Sequence, residues 1–282
     1  MGQFTSVPLV RELSTIIEII KIARKWGSCL LLVSIAALFF GGIASISYHQ
    51  EVFTIILFMG FVILFFTSKE KRFVILLMFS FLISYLLFIS INDFVKLMDL
   101  SKGTEIILNR LFLVLIILGI SGSHLYFNNK VSWFNERPNW KNSIVLPFHE
   151  LNIFWFWMIG IIINVVIYIF IIVQKDIEYI QSLILFGLIF SIMNAVFEEV
   201  IWRGILLTAL THQTSTRYAV LLTSIGFGLS HLSIGFSMSL SLLISVAGVI
   251  YALITLKTNS IYPSIVFHFI VNIGMVFSGF II

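Results

Sequence analysis

Charge is scarce in this chain. Only 11% of its 282 residues are Asp, Glu, Lys or Arg, where a soluble domain carries about a quarter. With 60% of residues hydrophobic, the composition excludes an ordinary soluble domain and points to an all-α, polytopic membrane helix bundle. Cysteine is nearly absent. Cys29 alone rules out an intramolecular disulfide framework and a cysteine-rich metal cluster. Inside its apolar run it is expected to be a small buried hydrophobe. Several protease signatures are missing as well. His149-Glu150 does not extend to HExxH because position 153 is Ile, and no GxGD occurs. Residues 1–26 lack the short apolar core and small-residue site of a cleavable signal. No repeat of 20–50 residues is evident.

What the chain has in abundance is long apolar runs. They fall at about 29–47, 52–68, 73–90, 105–121, 152–173, 183–210, 218–234, 236–256 and 261–281, most near the length that crosses a bilayer. This gives about 8–9 transmembrane helices, with the second and seventh runs short enough to be re-entrant. With the N-terminus in the cytoplasm, the inner segments collect Arg11, Lys21, Arg24, Lys25, Lys69, Lys71, Arg72, Lys130, Arg137, Lys141, Arg217 and Lys257. The outer segments hold only Lys96, Lys102 and Lys175. Positive charge stays inside, so a multi-pass protein of the cell membrane with a cytoplasmic N-terminus is expected. The net charge of +4 is thereby accounted for, and no basic patch remains for nucleic acid.

Four regions follow. Residues 1–26 alternate apolar and charged positions at helical spacing, as a cytoplasmic amphipathic helix does. Residues 27–121 are N-terminal spans with little chemistry; Arg110 is expected to snorkel or to pair with Glu105. Residues 122–150 form a polar connection, whose tryptophans with Trp155 and Trp157 suit an interfacial belt. His124 and His149 are expected at loop or interface positions. Residues 151–282 form a C-terminal helical core in which polar residues are embedded.

The densest of these embedded groups is FEEVIWRG, Phe197 to Gly204. A charged side chain at bilayer depth costs at least about 2.5–3.5 kcal/mol, so three within one span mark a functional site by default. On a helix Glu199 and Arg203 share a face in the orientation that favours pairing. Glu198, turned about 100° away, is left without a local cation and is available as a general base. Asn194 lies one turn before Glu198 and could orient it. The next span reads IGFGLSHL, with Phe227 and His231 one turn apart and Gly226 and Gly228 admitting a close neighbour. The last reads PSIVFHFIVN, where Ser264, His268 and Asn272 share a face. At 1.5 Å per residue, Glu198, Glu199, His231 and Asn272 fall about 18–22 Å from the cytoplasmic ends of their helices, and His268 about 14 Å. One buried site in a water-filled cavity can contain all of them.

Two chemistries suit that layer. In the favoured one no cofactor takes part: Glu198 and His231 activate a water against a peptide carbonyl, while His268 and Asn272 donate to the oxyanion. In the other, Glu198, His231 and His268 hold a zinc ion with an open position.

In this order the motifs resemble those of the CAAX protease and bacteriocin-processing (Abi) family of intramembrane endopeptidases. Glu198, Glu199 and Arg203 match its EExxxR, Phe227 and His231 its FxxxH, and His268 and Asn272 its HxxxN. The resemblance covers about residues 183–275. It implies a helical membrane core with a cavity open to the cytosol and a membrane-associated peptide or protein as substrate. Glu198 and His231 would activate the water, with His268 and Asn272 on the oxyanion side. It also implies a role in peptide maturation, surface-protein regulation or bacteriocin immunity. Prenylated CAAX substrates belong to eukaryotic members, and nothing here argues for them. Gly119 to Gly122 spells the GxSG of rhomboid proteases, with Ser121 at the nucleophile position; three fixed positions at the end of a span are a weak signal. The rival reading is a non-catalytic regulator or immunity protein that binds a partner and uses the polar layer to hold helices together. A transporter is a weaker third, since no inverted repeat is visible.

Overall fold

The computed structural model describes residues 7–131, 133–145 and 149–281, with backbone alone for 7–26. Residues 1–6 of the expected amphipathic segment, and the side chains of the rest of it, lie outside the described residues. Where water is absent, a helix satisfies every backbone N–H and C=O within its own segment, and the apolar runs fold accordingly. The helices are α1 (Val7–Ser47), α2 (Glu51–Thr67), α3 (Arg72–Lys96), α4 (Lys102–Tyr126), α5 (Ile153–Ile172), α6 (Ile177–Glu199), α7 (Thr208–Gln213), α8 (Thr216–Ser230), α9 (Met238–Thr258) and α10 (Tyr262–Phe277). A π-helical stretch, Val200–Leu207, joins α6 to α7, and a 3-10 turn, His231–Ile234, follows α8. Ser101, Asn152, Ser215 and Ser237 cap α4, α5, α8 and α9 by accepting from backbone N–H groups of the first turn.

Among the described residues, six helical stretches are long and apolar enough to cross a membrane: Gly27–Ser47, Lys69–Lys96, Lys102–Tyr126, Ile153–Ile172, Ile177–Gln213 and Met238–Thr258. The shorter apolar helices α2 and α10 accompany them. The protein is an all-α, multi-pass bundle. One continuous core runs from Ile35 and Phe39 of α1 through Phe81 of α3 to Trp202, Phe227, Tyr251 and Phe267. The outer helices show the inverse pattern: α5 buries only Ile153, and α2 only Thr54 and Phe61. Their exposed Ile, Leu, Val and Phe side chains suit lipid, which is as apolar as they are.

Two local expectations change. Cys29 is exposed on α1, because in a bilayer an apolar run need not face protein. His124 is buried in the last turn of α4, edge-on to Phe73 with ring centroids 5.1 Å apart.

Hydrogen bonds sort the helix ends to two sides. Lys71 Nζ donates to the carbonyl of Gln213, Asn139 N to that of Thr258 and Ile261 N to that of Phe134. The α2–α3, α4–α5, α7–α8 and α9–α10 connections therefore share one side. His49 and Asp93 lie 3.7 Å apart, bringing the α1–α2 and α3–α4 connections together on the other. The α4–α5 connection also contains a short antiparallel hairpin, β1 (Ser143–Val145) with β2 (Glu150–Asn152), and it lies against the α9–α10 turn. Asn142 Nδ2 donates to the Lys257 carbonyl at 2.7 Å, Ser260 Oγ to the Glu136 carbonyl at 2.7 Å, and Trp157 Nε1 to the Pro263 carbonyl at 2.8 Å.

Candidate active site

The last two turns of α6 deliver Asn194, Glu198 and Glu199 into the core. The helix then widens into the π-helical stretch that contains Arg203, where Thr208 Oγ1 donates to the Arg203 carbonyl at 3.2 Å. Such widening clusters at functional sites, and nothing in the local sequence announces it.

Arg203 and Glu199 are fully buried, and Arg203 Nη1 donates to Glu199 Oε1 at 2.8 Å, as the spacing predicts. Arg203 Nη2 donates to the Gly248 carbonyl at 3.0 Å, and the guanidinium lies 4.6 Å from the Phe227 ring centroid and 5.0 Å from that of Tyr251. His268 Nδ1 sits 3.0 Å from the same Glu199 oxygen. A carboxylate only accepts, so Nδ1 carries a hydrogen and Nε2 is turned away from Glu199. The His268 ring stacks on Tyr251 at 4.9 Å and meets Phe227 edge-on at 5.9 Å. Glu199, Arg203, Phe227 and Tyr251 thus hold His268 in one orientation.

Glu198 differs from expectation. It has a cation: Arg110 Nη1 of α4 donates to Glu198 Oε1 at 3.0 Å and to Asn194 Oδ1 at 2.6 Å. Arg110 Nη2 also donates to Asn109 Oδ1. Arg110 neither snorkels nor pairs with Glu105, because the bundle offers a buried acceptor pair one helix away. Asn194 orients Glu198 through this arginine rather than directly. Arg110 was visible as an intramembrane cation, but its partner is remote in sequence and no local spacing reveals it. Glu198 Oε2 has no hydrogen-bond partner and lies 3.6 Å from His268 Nε2.

His231 opens the 3-10 turn after α8. Its Nδ1 lies 2.9 Å from the Phe227 carbonyl, which can only accept, so Nδ1 carries the hydrogen and the Nε2 lone pair is free. Phe227 packs against it at 5.0 Å and Phe236 at 6.0 Å. Tyr85 of α3, missed in the sequence, supports this turn: its hydroxyl contacts Ser47 Oγ at 2.9 Å and donates to the Ser230 carbonyl at 3.1 Å. Asn272 is buried one turn beyond His268 on α10, and its Nδ2 donor has no partner. Ser264 instead bonds Thr255 Oγ1 at 2.9 Å and packs α10 onto α9.

Two adjoining hollows meet at this wall. A recess of about 30 Å³, lined by Glu198, His231, Arg110, Tyr85 and Trp202, has room for a water molecule. Beside it opens a cavity of about 720 Å³ whose walls include Arg110, Asn194, His231, His268 and Asn272. The zinc alternative does not fit the donors as placed. Arg110 holds Glu198 Oε1, and among the described residues no three His, Cys, Asp or Glu side chains converge in a way that could hold a metal ion. The GxSG run lies within α4, and a Cβ on Gly119 would strike Ser84 Oγ of α3. That glycine seats one helix on another. Ser121, eleven residues along α4 from Arg110, stands about 16 Å from the polar layer.

Residues 180–274 match the family model described as type II CAAX prenyl endopeptidase Rce1-like. The matched segment contains Glu198, Glu199, Arg203, Phe227, His231, His268 and Asn272, while Arg110 and Tyr85 lie outside it. No curated protein and no solved structure matches the chain.

Proposed function

We propose, from a chain whose residues 180–274 match the Rce1-like CAAX endopeptidase model, that this protein is an intramembrane endopeptidase using a side-chain-activated water. The observation that carries this reading is that two acceptors and a donor without hydrogen-bond partners belong to residues lining two adjoining hollows, which share His231. The acceptors are Glu198 Oε2 and His231 Nε2; the donor is Asn272 Nδ2. A water in the recess hydrogen-bonds to Glu198 Oε2 and gives up a proton to His231 Nε2 as its oxygen adds to the peptide carbonyl carbon. The carbonyl oxygen, now an oxyanion, is met by Asn272 Nδ2–H and lies on the His268 side of the cavity. Transfer of the proton from His231 to the amide nitrogen lets the C–N bond break, releasing an amine and a carboxylic acid, which then ionises in water. Arg110 and Asn194 fix Glu198 Oε1, so the second oxygen is the one presented to water.

The substrate class is a membrane-associated peptide or protein, and the metal-free route is preferred because Arg110 already supplies a cation beside Glu198. The test is hydrolysis of membrane-associated peptides by reconstituted protein, with products read by mass spectrometry. Glu198→Gln and His231→Ala should each lower the rate by roughly 10²–10⁴-fold while the protein still inserts. Full activity of Glu198→Gln would overturn the mechanism. The Arg110–Glu198 ion pair also suits a binding-only regulator, in which it would serve as a helix clasp. That protein would keep its biological effect in the Glu198→Gln variant.

A further inference from the structure

The cavity lining runs from the polar layer to one end of the bundle, and its charge surroundings identify that end. Around the mouth stand His49, Asp93 and Lys96, Lys102 and Glu105, and Phe280. They come from the α1–α2 connection, the end of α3, the start of α4 and the residues after α10. Arg110, His231 and Asn272 lie nearer the same end of their helices, His231 directly following α8. Arg110 lies eight residues into α4, about 12 Å from its start, and Asn272 lies five residues before the end of α10, about 8 Å. At the opposite end no described residue of the connections lines the cavity, so that end is the closed one. The connection carrying Trp133, Glu136 and Asn139 is hydrogen-bonded across the α9–α10 turn, and Trp133 O approaches Gly204 directly beneath the site.

The closed end is also the basic end. Lys71, Arg72, Lys130, Lys141, Arg217 and Lys257 all lie in its connections or in the helix turns that adjoin them. The mouth end has Lys96, Lys102 and Lys175, outnumbered by Glu51, Asp93, Asp99, Glu105, Asp176 and Glu178. The connections are short, the regime in which lysine and arginine set orientation.

We infer that the cavity opens to the external side of the membrane, so that its substrate is a polypeptide presented there after export. This is the reverse of the cytosolic opening that the family resemblance implies. The walls between mouth and polar layer are apolar, with Phe190, Phe236, Ile244, Val271 and Met275, and suit a segment bearing apolar side chains. The word substrate rests on the endopeptidase reading; the direction of the opening does not.

The experiment is cysteine accessibility in intact cells expressing the full chain. Cys29, the only cysteine, is changed to Ser. Single cysteines are then placed at the mouth (Lys96→Cys, Phe280→Cys), within the cavity (Ile234→Cys) and at the closed end (Lys141→Cys, Arg217→Cys). A membrane-impermeant maleimide should label the mouth and cavity positions without permeabilisation and the closed-end positions only after it. Labelling of the mouth only after permeabilisation, or of both ends before it, overturns the inference. Lys102→Cys replaces any mouth variant that does not accumulate. Labelling does not depend on turnover, so an inactive protein with an external mouth would refute the enzyme reading alone. Cleavage by a protein with a cytosolic mouth would refute the direction alone.

Discussion

Arg203 is the largest of the fully buried side chains among the described residues, and its role is tied to one carboxylate. Removing one member of a buried ion pair costs about 3–5 kcal/mol, because the other charge is left uncompensated, whereas replacing both can be neutral. Arg203→Met should therefore sharply reduce the folded yield in detergent. Arg203→Met combined with Glu199→Gln should recover most of it, since Gln is uncharged and still accepts from His268 Nδ1. Thermal unfolding of the single and double variants measures this, and equal losses in both would remove the pairing argument. Glu198 has a different environment: one oxygen accepts from Arg110, the other has no hydrogen-bond partner, and the residue lines the recess. Two adjacent carboxylates thus divide into one that holds a histidine and one at the edge of the recess.

Helix packing sets the distance between the catalytic candidates on α6, α8 and α10. At Gly228 a Cβ would run into Ser245 Oγ and the Ser241 carbonyl of α9; at Gly226 it would meet Phe39 of α1 and Trp202. Overpacking of this kind costs about 1–3 kcal/mol. Because backbone of α9 blocks the way, α8 must shift and carry His231 with it. Gly228→Ala should lower both thermal stability and the rate of peptide hydrolysis. Gly122→Ala, where a Cβ would meet nothing within 4 Å, should change neither. The close approach was legible in the alternation of glycine with larger residues. The π-helical turns after Glu199 were not, since the same residues fit an α-helix equally well by spacing.

Across the whole molecule, the N-terminal half contributes to the site. Arg110 from α4 and Tyr85 from α3 reach Glu198 and the turn that carries His231, and one core spans both halves. Severing the chain in the exposed polar connection, between Asn128 and Asn129, tests that dependence at a position where nicks are tolerated. Residues 129–282 expressed alone should be inactive, and co-expression with residues 1–128 should restore hydrolysis. A piece 1–128 bearing Arg110→Ala should restore assembly, read by co-purification, but leave hydrolysis well below that of the unaltered pair. Activity of the C-terminal piece alone would show that the N-terminal spans are dispensable.

The amino-acid sequence by itself determined the helical membrane class, the sidedness of basic charge and the Glu199–Arg203 pair. These follow from hydropathy and from the 3.6-residue period, which act within a segment. Only the tertiary structure decided that Arg110 meets Glu198, that Tyr85 supports the His231 turn, that Cys29 faces outward and which end of the bundle is open. Each of these depends on which helices become neighbours and how they are rotated. In an apolar solvent nearly every face of a hydrophobic helix is acceptable to lipid, so the sequence of one span constrains that choice only weakly.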